Sequence, residues 1–126
     1  MPLMIVLADD DVECRLLVRT ILAPRSDTMT IVGEAADGEQ ALALVLRTRP
    51  DIVISDLLMP RLTGIGLTRL IRIRQELRRT KIIIISAHTE DAYRLMASDS
   101  GADAFVSKDV LARDLLPAIR RIGTLR

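Results

Sequence analysis

The sequence predicts an α/β domain: a five-stranded parallel sheet, doubly wound, with helices on both faces. Three observations predict it. Five short apolar runs, at 3–8, 28–35, 51–55, 81–86 and 103–107, alternate with amphipathic stretches. The runs are rich in Ile and Val, and three are apolar nearly throughout, as strands buried on both faces are. Strand–helix alternation repeated five times calls for a parallel sheet covered on each side, and right-handed crossovers then fix most of the topology.

Each element has its own signal. LMIVLA at 3–8 is the first strand. In 11–23, Val12, Leu16, Arg19 and Leu22 mark successive helical turns, Leu17 and Ile21 widen the apolar face, and Pro24 stops the helix. TMTIVGEA at 28–35 is the second strand. In 38–48, Ala41, Leu42, Val45 and Leu46 line one side of a helix, and Asp37 with Gln40 resembles a capping box. DIVIS at 51–55 is the third strand. Residues 64–78 place Leu67, Leu70, Ile71 and Ile73 inward on a helix that turns its arginines outward. KIIIIS at 81–86 is the fourth strand, a shorter and less apolar helix covers 90–98, and DAFVS at 103–107 is the fifth strand. In 110–122, Leu111, Leu115, Leu116, Ile119 and Ile122 form a stripe, with Pro117 expected to bend the helix near Arg113. Gly33, Gly38 and Gly101 read as strand-end or turn glycines.

Composition sets the bounds. At 126 residues the chain has the size of one domain, read as 1–126. Surface scaling gives about 6,700 Å² exposed when folded against roughly 20,000 Å² for the open chain, so a core needs no staples. The hydrophobic share of 49% supplies that core. A single cysteine, Cys14, excludes an internal disulfide and suits a reducing, cytoplasmic compartment; its place on the first helix makes it a packing residue. No apolar run is long enough to span a bilayer, and MPLMIVLADDD lacks a basic leader. Aromatic residues at 2% leave no stacking platform for single-stranded nucleic acid. Residues 1–60 carry 5 basic and 10 acidic side chains, whereas 61–81 carry 7 basic and 1 acidic. That basic run reads as a solvated helix face rather than a polyanion site. Arginine outnumbers lysine 16 to 2, which singles out Lys81 and Lys108.

Ligands of a doubly wound sheet bind beyond the carboxyl ends of its strands. The first strand ends in Asp9 and Asp10, with Asp11 opening and capping the next helix. The third ends at Ser55 and Asp56, the fourth at Ser86, and the fifth at Ser107 and Lys108. Three carboxylates, a hydroxyl and an ammonium therefore converge on one rim. Crowded carboxylates repel, and a hard divalent cation such as Mg²⁺ removes the conflict. One oxygen of Asp56 would stay free as a nucleophile, with Lys108 as a point charge and Ser86 as a hydroxyl donor to phosphoryl oxygens. This is the equipment of phosphoryl transfer by positioning and charge.

These residues also carry a resemblance. IVLADDD at 5–11, ADGEQAL at 36–42, PDIVISDLLMPRLTG at 50–64, IIIISAH at 82–88 and GADAFVSKD at 101–109 resemble the receiver domains of bacterial two-component response regulators. The resemblance implies a flavodoxin-like fold with strand order 2-1-3-4-5 and a signalling domain that catalyses only its own phosphotransfer and dephosphorylation. It implies Asp56 as phosphoacceptor, and Asp9, Asp10, Asp56 and the Leu58 carbonyl as Mg²⁺ ligands. Lys108 would assist catalysis, and Ser86 and Phe105 would form the switch that alters the surface of helix 4, strand 5 and helix 5. The implied partners are a sensor histidine kinase or phosphotransfer protein and, on phosphorylation, a second copy.

Leu58 and His88 hold the two variable positions beside the pocket; Leu58 cannot orient water, and His88 reads as a loop residue. Asp109 stands where proline commonly follows the motif lysine, so a trans bond is expected there. The KD pair and VLARDLLPAIRRI look like receivers joined to a C-terminal helix-turn-helix domain that controls transcription. That domain, the only route to DNA, lies outside these residues; the chain is either a piece of such a regulator or a free-standing receiver. Three other readings compete. A never-phosphorylated pseudo-receiver is disfavoured by the intact acidic set and Lys108. A flavin carrier lacks aromatic residues and a phosphate-cradling loop, and an aspartate-based phosphatase would need an acid at Leu58.

Overall fold

The alternation of apolar runs becomes one sheet in the structure, a computed structural model that describes residues 2–123. Five strands, β1 (Leu3–Ala8), β2 (Met29–Ala35), β3 (Ile52–Asp56), β4 (Lys81–Ser86) and β5 (Ala104–Ser107), pair in parallel in the order 2-1-3-4-5. Five helices cover it: α1 (Val12–Leu22), α2 (Gly38–Thr48), α3 (Gly64–Arg72), α4 (Asp91–Ser100) and α5 (Leu111–Gly123). The accessible surface is 6683 Å², close to what chain mass predicts.

The central strands are buried on both faces because their side chains alternate between two cores. Ile5, Leu7, Ile52, Ile54, Ile83 and Ile85 point toward α1 and α5. Val6, Ala8, Val53, Ile82 and Ile84 point toward α2, α3 and α4. The five strands therefore all reach their carboxyl ends on one rim, with helices packed on either side.

Local chemistry sets the helix ends. Asp11 caps α1 by accepting from the Glu13 amide at 3.0 Å, as expected. Asp37 caps α2 by accepting from the Gln40 amide at 2.8 Å, while Gln40 Oε1 reaches back to the Ala36 amide at 3.2 Å. The capping box thus closes one residue earlier than its standard form. Gly101, at φ 109°, ends α4 in the left-handed region. Pro117 lies inside α5 and leaves the Arg113 carbonyl without its helical donor.

Three expectations need correction. On α1 the buried residues are Cys14, Val18 and Leu22, whereas Val12, Leu16 and Leu17 are exposed. Two apolar stripes share that helical wheel, and the one spaced i, i+4, i+8 meets β1 and α5. Second, α3 ends at Arg72 rather than 78, leaving Ile73 78% exposed. The Arg72 side chain donates to the carbonyls of Gly101 and Thr80 and pairs with Asp103. These bonds pin the helix end, and a 3-10 turn at Gln75–Leu77 then buries Leu77 instead. Third, Gly33 is inside β2, where the register jumps: Ile5 faces Ile31 but Val6 faces Gly33. Val32 is the extra residue of a β-bulge.

Candidate functional site

The rim gathers the residues that the strand ends promised. Asp9 is fully buried; Asp10 beside it is exposed. Asp56, at the end of β3, is 8% exposed. One carboxylate oxygen from each of Asp9, Asp10 and Asp56 lies within 4.8 Å of the others. Lys108 enters from the end of β5, its Nζ 2.8 Å from Asp9 Oδ2 and 3.4 Å from Asp56 Oδ2. Sequence distances of about fifty residues on each side of Asp56 thus close into one pit.

Main-chain contacts hold the pit open. The Asp9 amide donates to Ala35 O at 3.0 Å, and the Asp11 amide donates to Asp9 Oδ1 at 2.9 Å. Asp9 Oδ2 is buried, faces the ammonium, and has no hydrogen bond of good geometry. The Leu57 amide donates to Ile85 O at 3.1 Å and the Gly64 amide to Leu57 O at 2.8 Å, folding the loop after Asp56 back on itself. A side chain at Gly64 would strike the Asp56 carbonyl oxygen, and one at Gly38 would strike that of Leu62. Both glycines are needed for close approach of backbone to backbone.

The electrostatics follow from burial. Desolvation raises the Asp56 carboxyl to about 6, reinforced by the charge of Asp9 and opposed by Lys108. Burial works against charge on Lys108, but the close contact with Asp9 and the charges of Asp56 and Asp9 outweigh it and hold the ammonium above its ordinary range. Cys14 is pushed up to about 12, by burial first and then by Asp9. That thiol packs in the core between α1 and α5, and the shift keeps it protonated at neutral pH. It lines an open cleft of about 300 Å³ with Asp11, Glu13, Leu17, Lys108 and Leu111, which borders the pit at Lys108.

The donor set fits a hard divalent cation. Carboxylate oxygens from three residues face one point, one of them a buried oxygen with no well-formed hydrogen bond, and there is no sulfur or imidazole among them.

The remaining expected residues are placed as follows. Ser86 is buried, and its Oγ accepts from the His88 amide at 2.8 Å. Leu58 is 44% exposed beside Asp56. His88 is exposed and stacks at 5.3 Å on Tyr93 of α4. Phe105 is half-buried under the Arg94 guanidinium, which lies 4.7 Å above its ring. The Lys108–Asp109 bond is trans, as expected, since no cis peptide occurs among the described residues.

Sequence reasoning missed the supports. Arg61, in the left-handed region at φ 69°, pairs with Asp37 Oδ2 at 3.0 Å and ties the loop after Asp56 to the start of α2. Arg15 Nη1 donates to Asp9 O at 2.5 Å. No local pattern announces either contact. Only the bulge in β2 hints that residues there are re-aimed.

Comparison with known proteins gives a consistent result. Residues 5–120 match the family described as response regulator receiver domain. The response regulator protein VraR of Staphylococcus aureus is 30% identical over 121 residues, 96% of this chain and 56% of VraR. The chain therefore spans just over half the length of that curated relative. Among solved structures, the signal receiver domain of the response regulator NarL from Mycobacterium tuberculosis superposes with a TM-score of 0.90 at 30% identity, covering 99% of this chain and 98% of that one. A LuxR-family two-component response regulator from Aurantimonas sp. SI85-9A1 gives 0.89 at 35% identity, covering 100% and 88%.

Proposed function

Since the chain belongs to the response regulator receiver family, we propose that it is a phosphorylation switch in which Asp56 accepts a phosphoryl group and a changed surface passes the signal on. The observation that carries this is the pit itself. A nucleophilic carboxylate lies beside two further carboxylates and an ammonium, at the rim where doubly wound sheets bind ligands.

The chemistry follows from those positions. An Asp56 carboxylate oxygen attacks the phosphorus of a phosphorylated donor, the bond to the donor breaks, and an acyl phosphate remains on Asp56. Mg²⁺ held by Asp9, Asp10, Asp56 and the Leu58 carbonyl would supply positive charge against the phosphoryl oxygens. Lys108 stands 3.4 Å from Asp56 Oδ2 and would exchange a carboxylate partner for a phosphoryl oxygen. Ser86 has its Oγ at the same rim, where it would donate to another. Moving that hydroxyl would draw on the Ser86–His88 turn, and Phe105 on β5 lies under Arg94 of α4. Leu58 cannot orient an attacking water. This makes the surface of α4, β5 and α5 the output.

The phosphoryl donor we infer is a histidine kinase or a phosphotransfer protein, and the setting is the cytoplasm. No helix among the described residues is long and apolar enough to cross a membrane. We infer transcription as the controlled process, through a DNA-binding output domain, with dimerisation on phosphorylation; the likeness to a LuxR-family regulator supports the first of these. The whole of 1–126 acts as one receiver unit in this reading.

The test is direct. The protein incubated with Mg²⁺ and phosphoramidate or acetyl phosphate should gain the mass of one phosphoryl group, and Asp56→Asn should abolish the gain. Failure of both donors would leave an interaction module that is never phosphorylated.

A further inference from the structure

The β2 bulge has a consequence for the acidic pit. Met29 and Ile31 face α1 and α5, because both pack in that core. Strict alternation would send Gly33 and Ala35 to the same side and Glu34 to the other. The extra residue, Val32, reverses the parity. Ala35 instead packs in the core of α2 and α3, and a side chain at Gly33 would meet Leu44 of α2. Glu34 is thereby delivered to the α1 face.

Two arginines one turn apart on α1 receive it. Arg19 Nη1 lies 2.7 Å from both Glu34 oxygens. Arg15 Nε lies 3.3 Å from Glu34 Oε1, and its Nη1 donates to the Asp9 carbonyl at 2.5 Å. The Arg15 side chain is only 17% exposed and that of Glu34 24%. Hydrogen bonds at each end and an ion pair between Arg15 and Glu34 thus connect Arg19 to the main chain of the most deeply buried acid in the pit.

We propose that Glu34 and Arg15 are positioning residues that fix the Asp9 turn for cation binding, and that the β2 bulge exists to bring Glu34 within reach of Arg15. The inference rests on the reading of the pit as a divalent-cation site. Asp9 then has its amide held by Ala35, its carbonyl by Arg15, and Oδ1 by the Asp11 amide, leaving Oδ2 aimed inward. The guanidinium is suited to this because one fork serves a carboxylate and a carbonyl at fixed angles, which an ammonium cannot reproduce. Glu34 offsets one of the two guanidinium charges, so the device holds geometry with a net charge of +1 rather than +2 near the pit.

Mn²⁺ titration followed by electron paramagnetic resonance tests this without any phosphoryl donor. Arg15→Lys keeps the charge and loses the fork, and Glu34→Gln removes the anchor. Each should weaken Mn²⁺ binding about ten-fold, as loss of partners around metal ligands commonly does. The double variant should lose little more than the worse single one, since both act through one chain. Val18→Ala, which loosens the α1 core without touching the turn, should leave Mn²⁺ affinity in place. Unchanged affinity in the two single variants, additive losses in the double, or an equal loss in Val18→Ala would each overturn the relay. If the unaltered protein takes up no Mn²⁺, the cation reading fails and the relay with it; a relay failure alone leaves normal uptake in the unaltered chain.

Discussion

Lys108 is the residue on which the pit depends. Its ammonium lies against two carboxylates that would otherwise repel each other, and its side chain is 17% exposed. Removing one partner of such a group leaves uncompensated charge, a loss of about 3–5 kcal/mol when the pair is fully buried. The pit opens to water at exposed Asp10, so Lys108→Met should cost about 2 kcal/mol, below that range. Urea unfolding in EDTA measures it. A neutral or stabilising outcome would mean that the two carboxylates do not depend on the ammonium for their balance of charge. This lysine, Asp9, Asp10 and Asp56 were legible in the sequence because strand ends announce themselves and a parallel sheet puts all of them on one rim. Arg15 and Arg61 were not legible, because their partners are set by how helices and loops sit on the sheet, which no local spacing encodes.

At the scale of elements, the same division between local and tertiary information decides what could be read. The strands and the caps at Asp11 and Asp37 follow from composition and spacing alone. The face that α1 buries does not: Val12 and Leu16 form as good a stripe as Cys14 and Val18, and only the meeting with α5 chooses. The end of α3 shows the same limit. Ile73 continues the apolar period, yet Arg72 is captured by carbonyls and by Asp103, and the chain turns before Ile73 can dock. Leu77 takes its place in the core at 1% exposure. Leu77→Ala should therefore cost about 2–5 kcal/mol, and Ile73→Ala no more than about 0.5 kcal/mol. Denaturant midpoints of the two variants separate the cases. Similar losses in both would mean that the helix continues past Arg72 in solution.

Across the whole molecule, the pit couples stability to pH and to cations. The folded Asp56 carboxyl titrates near 6, above its ordinary value of 3.8, because burial and Asp9 disfavour its charge. A raised folded value means that the native state holds the proton more tightly than the unfolded chain. The contribution is therefore fully present below about 3.8 and is lost as pH rises through 6. In EDTA the part of stability owed to this group should fall between about pH 3.8 and pH 6 and be level above that. Asp56→Asn, which cannot ionise, should be more stable than the parent at pH 7.5, with the gap closing as pH falls toward about 3.8. A cation that binds only the folded, ionised pit stabilises by mass action. Added Mg²⁺ should then raise the melting temperature strongly at pH 7.5 and weakly at pH 5, and Asp56→Asn should blunt that gain. Scanning calorimetry of both proteins across this range, with Mg²⁺ and with EDTA, gives all four curves. Equal stabilisation by Mg²⁺ at both pH values would place the ion somewhere other than the carboxylates of this pit, because only there does protonation compete with the metal.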